Sequence, residues 1–465
     1  MTEIWYSLPE HVELRKRSNY CLITDKYLNK SQILHPSEAL VMSLLDGQTT
    51  FDELASLVTQ TYGMEVEKGL SLVERVLSVF NIYLNSTSAP QPKPKRYDPL
   101  EFVFPGFRKR PEGTSLLDAP VEVDLILTRR CNFTCRYCVH GTGPQPKEFL
   151  NTDAALRVIE EAADLGVVTV TLSGGEPTLH PDLPEIISAV VRRKMECFVS
   201  TNGSLLDEAM TEALAASGLH TIQVSLDTPS PDTHHFLTQS KNTFDQVVTG
   251  IDRLKAQGLR VRVRSVLTPH NYHQVTELIN LLIEHDADHI DLCTERTGSC
   301  ESVGINKTDR LSNGQNKRLH DQIKEAIVRY PEKAIFFVNS DSDWTKASDV
   351  VRCGGLTSVM IVHSNGNVSV CEMIRETPEL SYGNIQQSSL KEIWAGPAHQ
   401  KILKRATDRS NVGSRCSDCH RLDYCATGCF NLSKLAEGSY FAKDPRCPGA
   451  QIINSTIAVQ NKLDL

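Results

Sequence analysis

The stretch Cys131-Asn132-Phe133-Thr134-Cys135-Arg136-Tyr137-Cys138 constrains this chain more than any other. It follows an apolar run, Val121 to Leu127, that reads as a strand. Three thiolates in a CxxxCxxC pattern can hold three irons of a four-iron, four-sulfur cluster, leaving the fourth iron without a protein ligand. An iron with an open position can bind and activate a small molecule, as open metal sites do elsewhere. Zinc is the alternative for thiols at such spacing, although structural zinc sites want four ligands.

From Val121 onward, apolar strands and amphipathic helices alternate. Strands are expected near Val121–Leu127, Val168–Leu172, Phe198–Thr201, Thr221–Leu226, Val261–Leu267 and His289–Cys293, and helices near Thr152–Leu165, Leu183–Arg193, Leu206–Ala216, Phe244–Ala256 and Tyr272–Glu284. Such alternation predicts an α/β fold with a parallel sheet under helices, a partial (β/α)6 TIM-like barrel. The polar motifs fall where strands end: Cys131–Cys138, Ser173–Glu176, Ser200–Gly203, Ser225–Asp227 and Thr268–Asn271. Barrel active sites occupy that C-terminal rim. A polar insertion with Cys300 inside, Thr294 to Arg310, a helix from Asn316 to Arg329 and a strand from Ala334 to Asn339 lead to a Gly- and Cys-rich C-terminal region. That region lacks long periodic segments and is expected to be held by its metals rather than by a large core.

The CxxxCxxC motif, with Tyr137 before its last cysteine and Ser173-Gly174-Gly175-Glu176-Pro177 after the next strand, closely resembles the radical S-adenosylmethionine superfamily. The resemblance implies that S-adenosyl-L-methionine chelates the open iron of a cluster on Cys131, Cys135 and Cys138. It further implies that Glu176 meets the ammonium group with help from the Gly174 backbone, Gly174 and Gly175 allowing close approach. Tyr137 would lie against the adenine, and Ser200, Asn202, Ser225 and Asp227 would serve the ribose hydroxyls and the carboxylate. Each of these polar residues also has a plain reading as a strand-end cap. Reductive cleavage would give methionine and a 5′-deoxyadenosyl radical that abstracts a substrate hydrogen; the cofactor does the hard chemistry while the protein orients and shields it. A low-potential electron donor, flavodoxin or ferredoxin, is implied. No residue is marked as a general base.

The later cysteines, Cys353, Cys371, Cys416, Cys419, Cys425, Cys429 and Cys447, with Gly366 between the first two, resemble the seven-cysteine domain called SPASM. On that pattern Cys353, Cys371 and Cys429 bind a first auxiliary four-iron cluster, and Cys416, Cys419, Cys425 and Cys447 bind a second, for three clusters in all. The fourth ligand of the first auxiliary cluster is left open between Cys300, Cys293, a carboxylate, water and a substrate group. Cys293, Cys21 and Cys197 read more simply as buried thiols.

Ahead of the barrel, residues 1–84 read as a separate module: a short hairpin from Val12–Leu14 and Tyr20–Ile23, then helices over Ser37–Leu45, Thr50–Tyr62 and Glu67–Tyr83, the second capped by Thr50 with Glu53. This is a winged-helix pattern. The phrases His35-Pro36-Ser37 to Asp46-Gly47 and Thr50-Phe51-Asp52-Glu53-Leu54 resemble the peptide-recognition domain of the pyrroloquinoline quinone pathway, a PqqD-like domain, which captures leader peptides by adding a strand to a sheet edge. A DNA reader would need a basic recognition helix, and Phe51–Tyr62 carries no Lys or Arg. Pro90, Pro92 and Pro94 mark a semi-rigid linker within 85–119. The barrel then spans 120–345 and the SPASM domain 346–465.

The net charge of −8 gives no sign of a nucleic-acid or acidic-lipid partner. No apolar run reaches the roughly 18 to 20 residues a membrane span needs, and Met1 to Glu10 has no signal-peptide pattern. With 14 cysteines grouped at metal-ligand spacing rather than spread as a disulfide framework, a reducing cytoplasm is expected. Together these features predict a maturase that modifies a ribosomally synthesised precursor peptide, forming a carbon–sulfur or carbon–carbon link or rearranging the backbone. A sulfatase-type formylglycine maturase is the alternative, and an iron–sulfur redox-sensing binding protein a second.

Overall fold

The computed structural model describes residues 4–17, 20–27, 30–103, 117–138, 149–294, 311–338, 353–373, 377–412 and 414–449. Cys300 and the insertion around it lie outside the described residues. The chain divides into two compact units, Met1–Glu112 and Gly113–Leu465.

In the first unit, strands β1 (Trp5–Ser7), β2 (Val12–Lys16), β3 (Cys21–Asp25) and β4 (Lys30–Leu34) precede helices Pro36–Ser43, Phe51–Tyr62 and Val66–Val79, and β5 (Asn85–Thr87) follows them. The expected hairpin is a three-stranded antiparallel sheet in the order β2-β3-β4. The strand missed is Lys30-Ser31-Gln32-Ile33-Leu34, whose polar start hides its pattern. Thr50 caps the second helix in a capping box with Glu53, and Gly63, at φ +60°, ends it. The stretch read as a linker from residue 85 is instead part of this unit. β5 pairs antiparallel with β1. Gln91 N and Lys93 N donate to Gly47 O and Asp46 O at 2.8 Å each. Proline has no N–H, so alternation leaves every second residue a donor, and here those donors face one turn. The Tyr97 hydroxyl then accepts from Leu14 N at 2.9 Å, and Phe102 is buried in the unit's core. Two aromatic side chains with apolar surface to bury are the reason this segment docks rather than spans.

The second unit is built on parallel strands β6 (Glu122–Thr128), β7 (Thr169–Gly174), β8 (Glu196–Thr201), β9 (Thr221–Ser225), β10 (Arg260–Leu267), β11 (His289–Thr294) and β12 (Ala334–Val338). Each pairs with its successor, and helices Thr152–Asp164, Leu183–Arg192, Glu208–Ala216, Phe244–Ala256, Val275–Glu284 and Asn313–Arg329 fill the connections. The six expected βα units are present, with β12 as a further parallel strand. On the other flank β13 (Val359–Val362) lies parallel to β6, and β14 (Asn367–Ser369) and β15 (Ser381–Asn384) continue antiparallel, giving one ten-stranded sheet. Val123, Leu125, Leu127, Val170 and Leu172 face the helices and are buried in the core. By the period-two alternation of strands, Glu122, Asp124, Thr171 and Ser173 face the other way, into the barrel.

The C-terminal region does have a core. Leu356, Met360, Val368, Tyr382, Trp394 and Phe430 are buried in the same apolar cluster as the barrel strands, and Trp394 Nε1 donates to Leu117 O at 2.8 Å. The sequence reading underestimated it because its apolar residues come from short helices and turns without a sustained period.

Candidate active site

The cysteine loop leaves β6 at Thr128 and is fastened from two sides. On one, Gly175 N donates to Thr128 O at 2.7 Å and Glu176 N to Arg130 O at 2.9 Å. A Cβ on Gly174 would collide with the Thr128 carbonyl, and one on Gly175 with that of Arg130; Gly174 also sits at φ +143°. The paired glycines let the end of β7 run against the backbone just before Cys131. On the other side lies helix Pro231–Thr238, which the sequence reading omitted although Ser230 caps it and Pro231 opens it. Thr134 N donates to Thr238 O at 3.2 Å, Arg136 N to Leu237 O at 2.9 Å and Arg136 Nε to Phe236 O at 3.0 Å. The last carbonyls of a helix lack intrahelical donors, and this loop supplies them.

Glu176 is fully buried. Its Oε1 accepts from Thr178 N (3.1 Å), Thr178 Oγ1 (2.6 Å) and Thr201 Oγ1 (2.6 Å), and its Oε2 from Asn202 N at 2.7 Å. Burial raises its carboxyl above the ordinary value, and these donors oppose the rise. Glu176 thus ties the end of β7 to that of β8. Asn202 Nδ2 donates to Asn132 Oδ1 at 2.8 Å and approaches Cys131 Sγ at 3.8 Å, while Ser204 Oγ accepts from Asn132 Nδ2 at 2.8 Å. Cys131 Sγ also accepts from Phe133 N at 3.4 Å.

The Tyr137 hydroxyl donates to Asp227 Oδ2, and Asp227 Oδ1 accepts from Val266 N at 2.7 Å. Burial lifts the Asp227 carboxyl to about 6 against these two hydrogen bonds, and burial, then Asp227, lifts the Tyr137 phenol. Asn271 Nδ2 donates to the Asp227 carbonyl at 2.8 Å. Ser200 Oγ accepts from Gln223 Nε2 at 2.8 Å; Ser225, half-buried, ends β9 on the same face. Thr178, Thr201, Ser204 and Asn132 were not singled out from sequence. Their signal lay in flanking the chosen motifs: Thr201-Asn202-Gly203-Ser204 is a dense strand-end turn.

The cysteines fall into three neighbourhoods. Burial first, then Cys138, Asp227 and Cys131, hold the Cys135 thiol well above its ordinary value. Cys371 is raised by burial and by Cys353, Glu372 and Cys429. Burial pushes Cys425 to about 12, with Cys419, Cys416 and Cys447 adding to it, and Cys416 to about 11, with Cys447 and Cys419 adding. Thiols crowded like this resist ionising together and become thiolates readily only around bound cations, which suits cluster chemistry; among the described residues no three Cys, His, Asp or Glu side chains stand close enough to hold a single metal ion. Cys425 and Cys429 serve different neighbourhoods although only a short turn separates them. That turn carries φ of +48° at Ala426, +68° at Thr427 and +86° at Gly428. A β-branched residue at positive φ is strained, and the strain redirects the chain between the two groups. Asp444 braces it, Oδ2 accepting from Cys429 N at 2.8 Å and its carbonyl from Cys447 N at 3.0 Å. Cys293 stands apart in β11, its thiol 3.6 Å from Ser265 O.

Residues 125–282 match the model of the radical SAM superfamily, and 353–420 that of the iron–sulfur cluster-binding SPASM domain. The PqqA peptide cyclase of Ruegeria pomeroyi is 30% identical over 72% of this chain and 89% of its own length. The chain belongs to the radical S-adenosylmethionine superfamily. It is also 26% identical to an AdoMet-dependent heme synthase of Methanosarcina barkeri, over 72% of this chain and 97% of that one. Among solved structures, Streptococcus suis SuiB bound to S-adenosylmethionine superposes with a TM-score of 0.65 at 20% identity, covering 95% of this chain and 100% of SuiB. SuiB has a second structure with its precursor peptide SuiA, TM-score 0.63. The radical SAM domain of this enzyme binds S-adenosylmethionine and a four-iron, four-sulfur cluster, and its SPASM domain binds auxiliary iron–sulfur clusters. Among the described residues no helix is long and apolar enough to cross a membrane.

Proposed function

We propose that this enzyme modifies a ribosomally synthesised precursor peptide. The observation that supports it is the reach of these likenesses. The PqqA peptide cyclase and the heme synthase each match 72% of the chain, whereas SuiB, solved with a precursor peptide, spans 95% of it. The first unit carries a three-stranded sheet with one edge closed by Tyr97 at Leu14 N and the other edge at β4, where Ser31 and Gln32 are exposed. A leader adding a strand at β4 gains main-chain hydrogen bonds, and tethering raises the concentration of the core peptide at the barrel.

Cys131, Cys135 and Cys138 hold the rim cluster. Glu176, Ser200, Asn202, Ser225, Asp227, Tyr137 and the Gly174–Gly175 backbone surround the S-adenosylmethionine site. With both bound, the rim supplies reductive cleavage and a hydrogen-abstracting radical. Cys353, Cys371 and Cys429 form one auxiliary site, and Cys416, Cys419, Cys425 and Cys447 the other. The protein's part is to seat the peptide, exclude water and space the clusters. The first electron comes from a low-potential donor such as flavodoxin or ferredoxin. The test is a pair of variants of the reconstituted enzyme. Replacing Cys131, Cys135 and Cys138 together with Ala should abolish S-adenosylmethionine cleavage. Cys419→Ala should keep cleavage while losing modified peptide, as read by mass spectrometry. Undiminished cleavage in the triple variant would refute the rim assignment.

A further inference from the structure

On the barrel-facing side of β6 and β7 lies a group that neither the rim nor the auxiliary sites account for. Asp124 pairs in register with Thr171, and Glu122 with Thr169. Thr171 Oγ1 donates to Glu122 Oε1 at 2.6 Å. Asp124 Oδ1 is shut off from solvent and has no hydrogen-bond partner among the described residues. Burial, then the carboxylates Glu122 and Glu372, the latter next to Cys371, hold the Asp124 carboxyl well above its ordinary value, and Glu122 and Thr171 hydrogen-bond that carboxyl while Oδ1 is left idle. Among the described residues neither Glu122 nor Asp124 has a basic partner. One residue pair nearer the rim on β7, and on the same face, Ser173 Oγ is likewise buried and unpartnered. Two residues advance a strand by about 7 Å, so Ser173 stands between the acids and the strand end that bears Glu176.

A buried carboxylate with an idle oxygen, beside a second acid and an idle hydroxyl, is costly unless something satisfies it. We infer that Asp124, Glu122 and Ser173 form a receiving site for a cationic side chain of the substrate, a lysine ammonium or an arginine guanidinium, carried into the barrel from the rim. Resting on the peptide-substrate reading above, this makes the site selective: a cation neutralises the acids and donates to Asp124 Oδ1 and Ser173 Oγ, whereas an acidic side chain is repelled. The opposite wall has the other sign. Arg262 and Arg264 on β10 face the same interior, Arg262 paired with Asp291 of β11. A cation entering the barrel is therefore steered toward β6 and away from β10.

The test uses small probes, so that it does not depend on knowing the peptide. n-Butylammonium chloride and n-propylguanidinium chloride, mimics of the lysine and arginine side chains, are titrated calorimetrically into the reconstituted full-length enzyme, with sodium chloride as the ionic-strength control. At least one cation should bind saturably, and the one that binds more tightly names the residue. Asp124→Asn should weaken that binding roughly tenfold or more, in line with the strength of charge-assisted hydrogen bonds, and Ser173→Ala should weaken it to a lesser degree. Melting temperatures recorded without probe show whether each variant is folded. Should Asp124→Asn not fold, Ser173→Ala carries the test. Absence of saturable binding by either cation, or equal affinity in the folded variants, overturns the proposal while leaving the peptide reading intact. Cation binding by an enzyme that modifies no peptide would instead overturn the peptide reading.

Discussion

At the scale of single residues, Glu176 carries more structural weight than a ligand contact alone would require. Its four accepted hydrogen bonds join two strand ends on which the cysteine loop rests. Glu176→Gln replaces one acceptor oxygen by an amide NH2, which cannot accept from the backbone N–H of Asn202 and the threonine donors together. A buried unsatisfied donor costs about 1 to 3 kcal/mol. The variant should therefore lose stability of that order in urea denaturation and bind S-adenosylmethionine more weakly. Unchanged stability with weakened binding would mean that Glu176 acts on the ligand alone. The identity of Glu176 was legible from its motif, but its partners were not. Thr178 meets it through a local cap two residues on, whereas Thr201 and Asn202 meet it only because parallel pairing aligns β7 with β8, a long-range fact that no local pattern carries.

At the scale of elements, the barrel was readable because its strands and helices repeat with clean periods, as Val261–Leu267 and Phe244–Ala256 show. Helix Pro231–Thr238 was not, being short and weakly amphipathic, and β4 was hidden by its polar start. Both bear on the proposed function: the helix holds the cysteine loop, and β4 is a sheet edge with no strand beyond it among the described residues. Antiparallel pairs alternate between bonded and non-bonded residues. Leu14 N points out to Tyr97, so Leu14 and Ile23 form a non-bonded pair and Ile23 turns its N–H and C=O toward Gln32. The outward N–H groups of β4 are then those of Ser31 and Ile33. Ser31→Pro deletes an outward donor while sparing the ladder to β3, as proline at a sheet edge does. It should weaken binding of a labelled leader roughly tenfold, measured by fluorescence anisotropy, whereas Ser31→Ala should not. Equal affinity for the two variants would show that the leader does not use this edge.

At the scale of the whole molecule, the proposed function assigns peptide capture to the first unit, radical chemistry to the barrel and electron handling to the cysteine-rich region. The unit boundary was misread because Pro90, Pro92 and Pro94 resemble a spacer, while Tyr97 and Phe102, which dock the segment, are too far apart to show a period. The seven late cysteines were separable in sequence only by resemblance, and the positive-φ turn at Ala426–Gly428 between Cys425 and Cys429 carried no sequence signal beyond its glycine. The central claim is that hydrogen is taken from a peptide by a radical made at the rim. Its most direct test pairs the reconstituted enzyme with a precursor encoded in a neighbouring reading frame, its core residues deuterated. The account predicts deuterium in the 5′-deoxyadenosine formed, together with a modified peptide. Modified peptide accompanied by unlabelled 5′-deoxyadenosine would contradict it.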